Sequence, residues 1–383
     1  MRISGSFIST ILTMLLVFCL SPVISGAPAF AAKKIWEDGD SRLDLFGDMR
    51  LRFEKDDDER AGKADRDRTR GRVRLRFGAN YKASDVVSMG FRLRTASSNR
   101  QSPHQTLGLY GKSGSNSDFG VDRAFFRLSG GGAYLWGGKN AFPAWNPAEF
   151  LWDDDLQPEG LAAGWGGSFG IVKVKLNAGY FVIGEGNWDD DDMLLSYQGM
   201  IKAGDSFQVR AAVGGLSFDD GDENSATAAS GQLPGGTATI THAMVEVRSS
   251  DLPLEPRVGV LYSTSDVDDD KIGSGAESAD KKALVAYVRG SVSGVDLRFY
   301  YWDNGYAAQP LLGSLGQDNF PFSSNYKGYH IQVGYKFFGN LSTDLRYYWQ
   351  ETKNENITVH DSDIAMQGDR TRTRIQLNLN VKF

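Results

Sequence analysis

The chain has 383 residues, carries a formal charge of −6, and is only 41% hydrophobic although glycine and aromatic residues are plentiful. The acidic balance argues against nucleic acid as a general partner. Beyond the N-terminus no run is long and apolar enough to cross a bilayer as a helix, and no linker or low-complexity tract divides the chain.

At the N-terminus, Arg2 supplies a short positive region, Phe7 to Leu20 an apolar stretch, and Ala29-Phe30-Ala31 a small-residue cleavage site. Residues 1–31 therefore read as a cleaved signal peptide and 32–383 as one exported domain. Cys19, the sole cysteine, falls inside that leader. The exported part then has no disulfide and no cysteine-ligated metal.

Alternation begins soon afterwards. Leu43, Leu45, Met49, Leu51 and Phe53 share one parity, and Asp44, Asp48, Arg50 and Arg52 the other. A strand sends successive side chains to opposite faces, so this segment has one apolar and one charged side. The next strand sets Val73, Leu75, Phe77 and Tyr81 against Arg70, Arg72, Arg74 and Arg76. Further along, short turns near residues 82–85, 130–132, 168–170, 203–205, 249–255, 291–294 and 338–340 alternate with long polar loops. The long connections are 56–65, 97–118, 140–160, 184–192, 219–237, 266–280, 303–325 and 353–368. Tight turns at one end and long loops at the other mark a transmembrane antiparallel β-barrel, here of about 16 strands. The last strand is its clearest member. Ile375, Leu377, Leu379, Val381 and Phe383 alternate with Arg374, Gln376, Asn378, Asn380 and Lys382. A dry core does not accept such a polar face, whereas a strand between lipid and a watery interior requires one.

The inward parity of five strands is rich in arginine: Arg50 and Arg52, then Arg72, Arg74 and Arg76, then Arg92 and Arg94, then Arg123 and Arg127, and finally Arg372 and Arg374. In a closed barrel the last strand pairs with the first, so these residues form one wall of permanently ionised groups. Local pairing with Asp44, Asp48 or Asp122 is the bland alternative. A counter-charge is expected from loop 140–160, which carries Glu149, Asp153, Asp154, Asp155 and Glu159 together with Phe142, Trp145, Phe150, Leu151 and Trp152. Rings of that size are sheltered if the loop folds inward. It would then set its five carboxylates across from the arginines and screen solutes by size and polarity.

The chain resembles the homotrimeric outer-membrane porins of Gram-negative bacteria. The matching pieces are Asp38-Gly39-Asp40-Ser41-Arg42-Leu43-Asp44-Leu45-Phe46-Gly47, Asp65 to Arg70, Val121-Asp122-Arg123-Ala124-Phe125 and the terminal Phe383. The resemblance implies a non-enzymatic, water-filled channel for passive diffusion of small hydrophilic solutes and ions, with lipid and lipopolysaccharide around it. It further implies that loop 140–160 lines the constriction and that segment 97–118 latches onto a neighbouring protomer of a homotrimer. Phe383 would belong to the signal read by the barrel-assembly machinery. A substrate-specific channel that binds an anion is the alternative reading of the arginines.

Other chemistry is sparse. Asp266, Asp268, Asp270 and Glu277 mimic calcium-loop spacing, but Lys271 stands where such a loop wants glycine and no helices flank it. Asp56 to Asp58 and Asp189 to Asp192 are acidic clusters of the kind that binds divalent ions between lipopolysaccharide phosphates. The four histidines are scattered, and no cofactor motif or serine–histidine–acid arrangement stands out.

Overall fold

The computed structural model of the chain describes residues 33–61, 64–96, 102–108, 118–184, 191–219, 238–267, 278–309, 324–356 and 369–383. The expected signal peptide and most of the long outer loops lie outside these residues. The strands are β1 (Lys33–Asp38), β2 (Ser41–Arg60), β3 (Arg66–Lys82), β4 (Val87–Thr95), β5 (Gln105–Thr106), β6 (Phe119–Gly130), β7 (Ala133–Lys139), β8 (Glu159–Phe169) and β9 (Val172–Gly184). They continue with β10 (Asp192–Ala203), β11 (Phe207–Asp219), β12 (Ala238–Ser249), β13 (Arg257–Ser265), β14 (Lys282–Val292), β15 (Val295–Asn304), β16 (Tyr326–Lys336), β17 (Leu341–Thr352) and β18 (Arg370–Lys382).

All eighteen belong to one sheet, but β1 and β5 are appended pieces, which leaves sixteen strands in the ring. Each ring strand pairs antiparallel with its neighbours, and β18 closes the ring on β2 from Arg370↔Arg60 to Lys382↔Asp48. Closure gives every ring strand a partner on both sides, the condition for crossing a bilayer with strands. The protein is a closed 16-stranded β-barrel of the outer membrane. Its outer face is apolar, with Leu51, Phe53, Phe91, Val213, Val260 and Ile331 all exposed there. Both chain ends of the ring and the tight turns share one end, the periplasmic one.

The two appended strands repair edges that the ring leaves bare. β18 stops at Asp48 of β2, and β1 takes over the same edge from Leu45 down to Ser41. Between them Phe383 exchanges two backbone hydrogen bonds with Gly47, at 2.7 and 2.9 Å. A Cβ on Gly47 would collide with the Phe383 ring, so glycine is what lets the terminal ring close over the seam. On the other side of β2, β4 covers β3 only from Arg76 to Lys82. Higher up, Gln105 and Thr106 of β5 pair with Val73 and Arg72.

One expectation needs correction here. Asp56 to Arg60 are not loop but the upper part of β2, because Asp56 and Asp58 point inward and meet arginines of β18. They are 2% and 1% exposed, so this cluster is no outer cation site. Of segment 97–118 only residues 102–108 and 118 are described, with Gln105 and Thr106 paired to β3; the rest, and with it the expected latch to a neighbouring protomer, lies outside the described residues.

Candidate functional site

The interior is built from the inward faces of the strands and the segment between β7 and β8. Eleven sequence-predicted arginines stand together on β18, β2, β3, β4 and β6, and eight have a carboxylate within 4 Å. Glu54 on β2 is one hub. Arg70 pairs with it closely, while Arg72 and Arg52 approach to 3.7 and 3.8 Å. Asp56 takes Arg374 at 2.5 Å and Arg372 at 3.5 Å, and Asp58 takes Arg370 at 2.7 Å. Asp48 holds Arg74 and Arg76 at 2.7 and 2.8 Å. Asp122 pairs with Arg92 and lies 3.7 Å from Arg94.

A β-bulge explains that last group. The β4–β6 register slips between Arg92 and Leu93, so that Asp122 and Arg123 both escape strict alternation and face inward. Arg50, Arg123 and Arg127 use neutral partners instead. Arg50 donates to Asn380 Oδ1 at 2.6 Å and Arg123 to Gln157 Oε1 at 2.7 Å. Arg127 donates to Ser129 Oγ at 3.0 Å and lies 4.1 Å over the Tyr134 ring. The wall is thus mostly tied to acids of its own strands. Local pairing, the bland alternative on sequence alone, is the arrangement found for the eight paired arginines.

Segment 140–158 folds into the barrel and spans it. Phe150 and Leu151 are fully buried, and Phe142 stacks on Trp152 with centroids 4.9 Å apart. Phe150 packs on Trp302 of β15 at 5.7 Å. Gln198 of β10 accepts from the Trp145 N–H at 2.7 Å and donates to its carbonyl at 3.0 Å. Arg289 of β14 donates to the Pro147 carbonyl, and Gln309 donates to the Phe150 carbonyl at 3.0 Å. The far side of the segment meets the arginines: Asp155 lies 3.0 Å from Arg76 and 3.6 Å from Arg74, and Arg94 donates to its carbonyl.

The five acidic positions do not act as a set. Burial works against the Asp155 carboxylate, but Arg74, Arg76, Arg50 and Arg94 outweigh it and hold its pKa below the ordinary 3.8. Asp154 has the opposite fate: although its side chain is exposed, desolvation by the surrounding barrel interior, then the adjacent Asp155, push its pKa above 3.8 despite Arg123 and Arg76. Asp153 is buried, and its Oδ1 accepts the Asp155 N–H at 2.7 Å, which shapes the turn. Glu149 adopts a left-handed φ of 56° and lies beside Asp154. Glu159 departs from the expectation altogether. It opens β8 on the parity of exposed Leu161 and pairs with Lys139 at 2.5 Å, away from the arginine wall. Alternation decides this, because Ala162 of the same strand is buried inside.

Two parts of the interior escaped the sequence reading. Ser102 and His104 sink against the wall, where Arg72 donates to the Ser102 hydroxyl at 2.9 Å and to the His104 carbonyl at 3.0 Å. Burial, followed by Arg52 and Arg50, pushes the His104 pKa well below 6.5. No periodic signal marks residues in a polar loop. The second part is a series of basic residues on the opposite side, one per strand from Lys202 on β10 to Arg298 on β15, joined by Lys173 and Lys175 on β9. Each strand contributes too little to catch the eye. Their closeness to the predicted tight turns was the usable signal, since a tight turn fixes which residues face one another.

Of the calcium-like positions, only Asp266 is described; its Oδ1 accepts the Thr239 N–H at 2.6 Å at the start of β12. Asp268, Asp270 and Glu277 lie outside the described residues. Phe383 sits at the β18–β2 seam and is 44% exposed.

A family model described as "Putative porin" matches residues 58–214. Among solved structures, OmpF of Salmonella typhi in complex with daunomycin aligns over 92% of this chain and 100% of its own, with 14% identity and a TM-score of 0.54. The chain resembles the outer-membrane porins. In-vitro folded OmpT, an outer membrane protein of Vibrio cholerae, aligns over the same shares with 12% identity and a TM-score of 0.50. No curated protein matches in sequence. At these identities the likeness is one of fold, and it agrees with the porin-like ring of sixteen strands.

Proposed function

We propose that the protein is a non-enzymatic, water-filled channel through which small hydrophilic solutes and ions diffuse across the outer membrane. The observation that carries this reading is the state of the inward-facing lysines and arginines in the periplasmic half. Lys173 and Lys175 are exposed although they share the inward parity of buried Phe181, and Arg298 keeps 37% of its side-chain exposure. A barrel plugged along its length would bury them at a high desolvation cost. Segment 140–158 then serves as the screen, with Asp155 and the arginine wall on one border. Phe383, placed at the closing seam, suits recognition by the assembly machinery through pairing of a free strand edge. A homotrimer is part of the same proposal.

A second reading, a channel selective for one class of anion, is favoured by the close packing of the wall side, where Arg52, Glu54 and Arg72 are 8% exposed or less. Single-channel recording on detergent-purified, unheated protein under a salt gradient separates the two. Large ohmic steps, in groups of three, are expected for the general channel. Small steps that saturate with an anion favour the second reading, and an intact barrel without conductance refutes both.

A further inference from the structure

Antiparallel pairing in the ring places six inward residues on six successive strands directly opposite one another. They are Arg248, Arg257, Arg289, Arg298, Gln332 and Arg346, on β12 to β17. The first four are arginines in unbroken register. Like charges directly opposite one another destabilise a sheet by roughly 0.2–1 kcal/mol per pair. Barrel stability alone therefore gives no reason for three such pairs in a row.

Counter-charge is scarce along the row. Arg248 has Glu255 at 2.8 Å and Arg298 has Asp296 at 2.5 Å. Among the described residues, Arg257 and Arg289 have no carboxylate within ion-pair distance. Arg289 spends one N–H on the Pro147 carbonyl and lies over the Tyr287 and Tyr300 rings, at 4.6 and 5.3 Å from their centroids. Its Nε and that of Arg248 are buried with no hydrogen-bond partner. Buried guanidinium N–H groups left unpaired are costly and await an acceptor.

Barrel strands tilt by about 35–45°, so a row perpendicular to them climbs the wall. This one starts beside the periplasmic turn 250–256 and, through Arg346 and Gln376, reaches Glu54 on the arginine wall. The aromatic residues one step above it, Tyr287, Tyr300, His330 and Tyr348, are buried and in ring contact in sequence, the first pair tilted and the next two stacked. They give the basic row a dry, stiff shoulder on one side while its other side faces the watery vestibule.

We infer that Arg248, Arg257, Arg289 and Arg298 form a binding track for multivalent oxyanions, small solutes bearing phosphate or several carboxylates. Neighbouring strands are about 4.8 Å apart, so adjacent guanidiniums can bracket one phosphate group with paired N–H donors. The inference rests on the channel reading for its transport role, and on the row alone for binding.

The test uses inorganic pyrophosphate and detergent-purified, folded protein. Titration calorimetry should show saturable binding. Arg257→Gln combined with Arg289→Gln should weaken it by about tenfold or more, since two charge-assisted contacts are lost. The single variant Arg257→Gln strands no acid and serves if the double variant does not fold. Equal binding by native protein and variant overturns the track, as does binding lost only on replacing Arg72 and Arg74. Bilayer recordings separate the two claims. Conductance without row-dependent pyrophosphate binding keeps the channel and removes the track. Row-dependent binding without conductance keeps the track and removes the channel.

Discussion

Two sides of one barrel handle positive charge in opposite ways. On β18, β2, β3 and β4, arginines are dense but interleaved with Asp48, Glu54, Asp56 and Asp58 on the partner strand, and Arg52, Arg72, Arg74 and Arg92 are at most 8% exposed. On β12 to β15 they are fewer, aligned with one another, and open to water, with Arg248 at 31% and Arg298 at 37% side-chain exposure. The dense side is a packed ionic network, whereas the sparse side is a surface with charge to spare. Number of arginines is therefore a poor guide to where positive charge is left open to the interior.

The largest expected effect breaks the packed side. Glu54→Gln removes the acid shared by Arg52, Arg70 and Arg72 and leaves buried guanidiniums uncompensated. Losing one partner of a buried ion pair costs about 3–5 kcal/mol. Thermal unfolding in detergent, followed by loss of the fast-migrating folded band, should show a marked drop. Arg257→Gln in the same assay should be neutral or slightly stabilising, by about 0.2–1 kcal/mol, because it relieves facing like charges. Equal losses in both would erase the distinction between the two sides.

Next in size is the segment that separates them. Phe150 is fully buried against Trp302, and Phe150→Ala should cost about 3–5 kcal/mol of docking energy for segment 140–158. Single-channel conductance should rise and become noisier while the barrel stays folded. An unchanged conductance would show that the segment does not limit flow.

Much of this architecture could be read in the sequence, and its failures have physical causes. Alternation in β2, β3 and β18 and the contrast of turn and loop lengths follow from local rules, so strand number and direction were legible. The aromatic content of 140–158 foretold its inward fold. What pairs with what across the sheet is a different matter. Asp56 and Asp58 looked like loop because a charged run is usually solvated, and only Arg370 and Arg374, more than 300 positions away, make them a buried strand. The row from Arg248 to Arg298 escaped for a related reason: each strand supplies one cation, and the pattern exists only across strands. Glu159 failed on parity, which flips between loop and strand with a single residue.

A pH titration sharpens the comparison at the loop tip. Asp154, raised above 3.8, loses its charge first as the solution is acidified toward that value, while Asp155, held below it by Arg74 and Arg76, stays ionised. Reversal potentials under a salt gradient should therefore move toward anion preference at a pH above 3.8, before Asp155 titrates, and Asp154→Asn should abolish that step. The sign for stability is fixed as well. An acid whose pKa is raised on folding binds its proton more tightly in the folded state, so it opposes folding at neutral pH and stops doing so as pH falls. Asp154→Asn should accordingly gain stability at neutral pH, and Asp155→Asn should lose it.

The smallest expected effect comes from Glu159. Its partner Lys139 keeps 31% of its side-chain exposure and Glu159 itself 61%, so the pair sits in water at the barrel rim. Such pairs contribute about 0–1 kcal/mol. Glu159→Gln should leave unfolding temperature and reversal potential where they were, although the residue is only four positions from Asp155. Asp155→Asn, by contrast, should shift the reversal potential toward anions, since it uncovers Arg74 and Arg76. Identical shifts from the two substitutions would mean that the rim field, rather than contact with the arginine wall, governs which ions pass. Proximity in the chain would then outrank the side of the strand, and the alternation argument would lose its functional meaning at this end of the barrel.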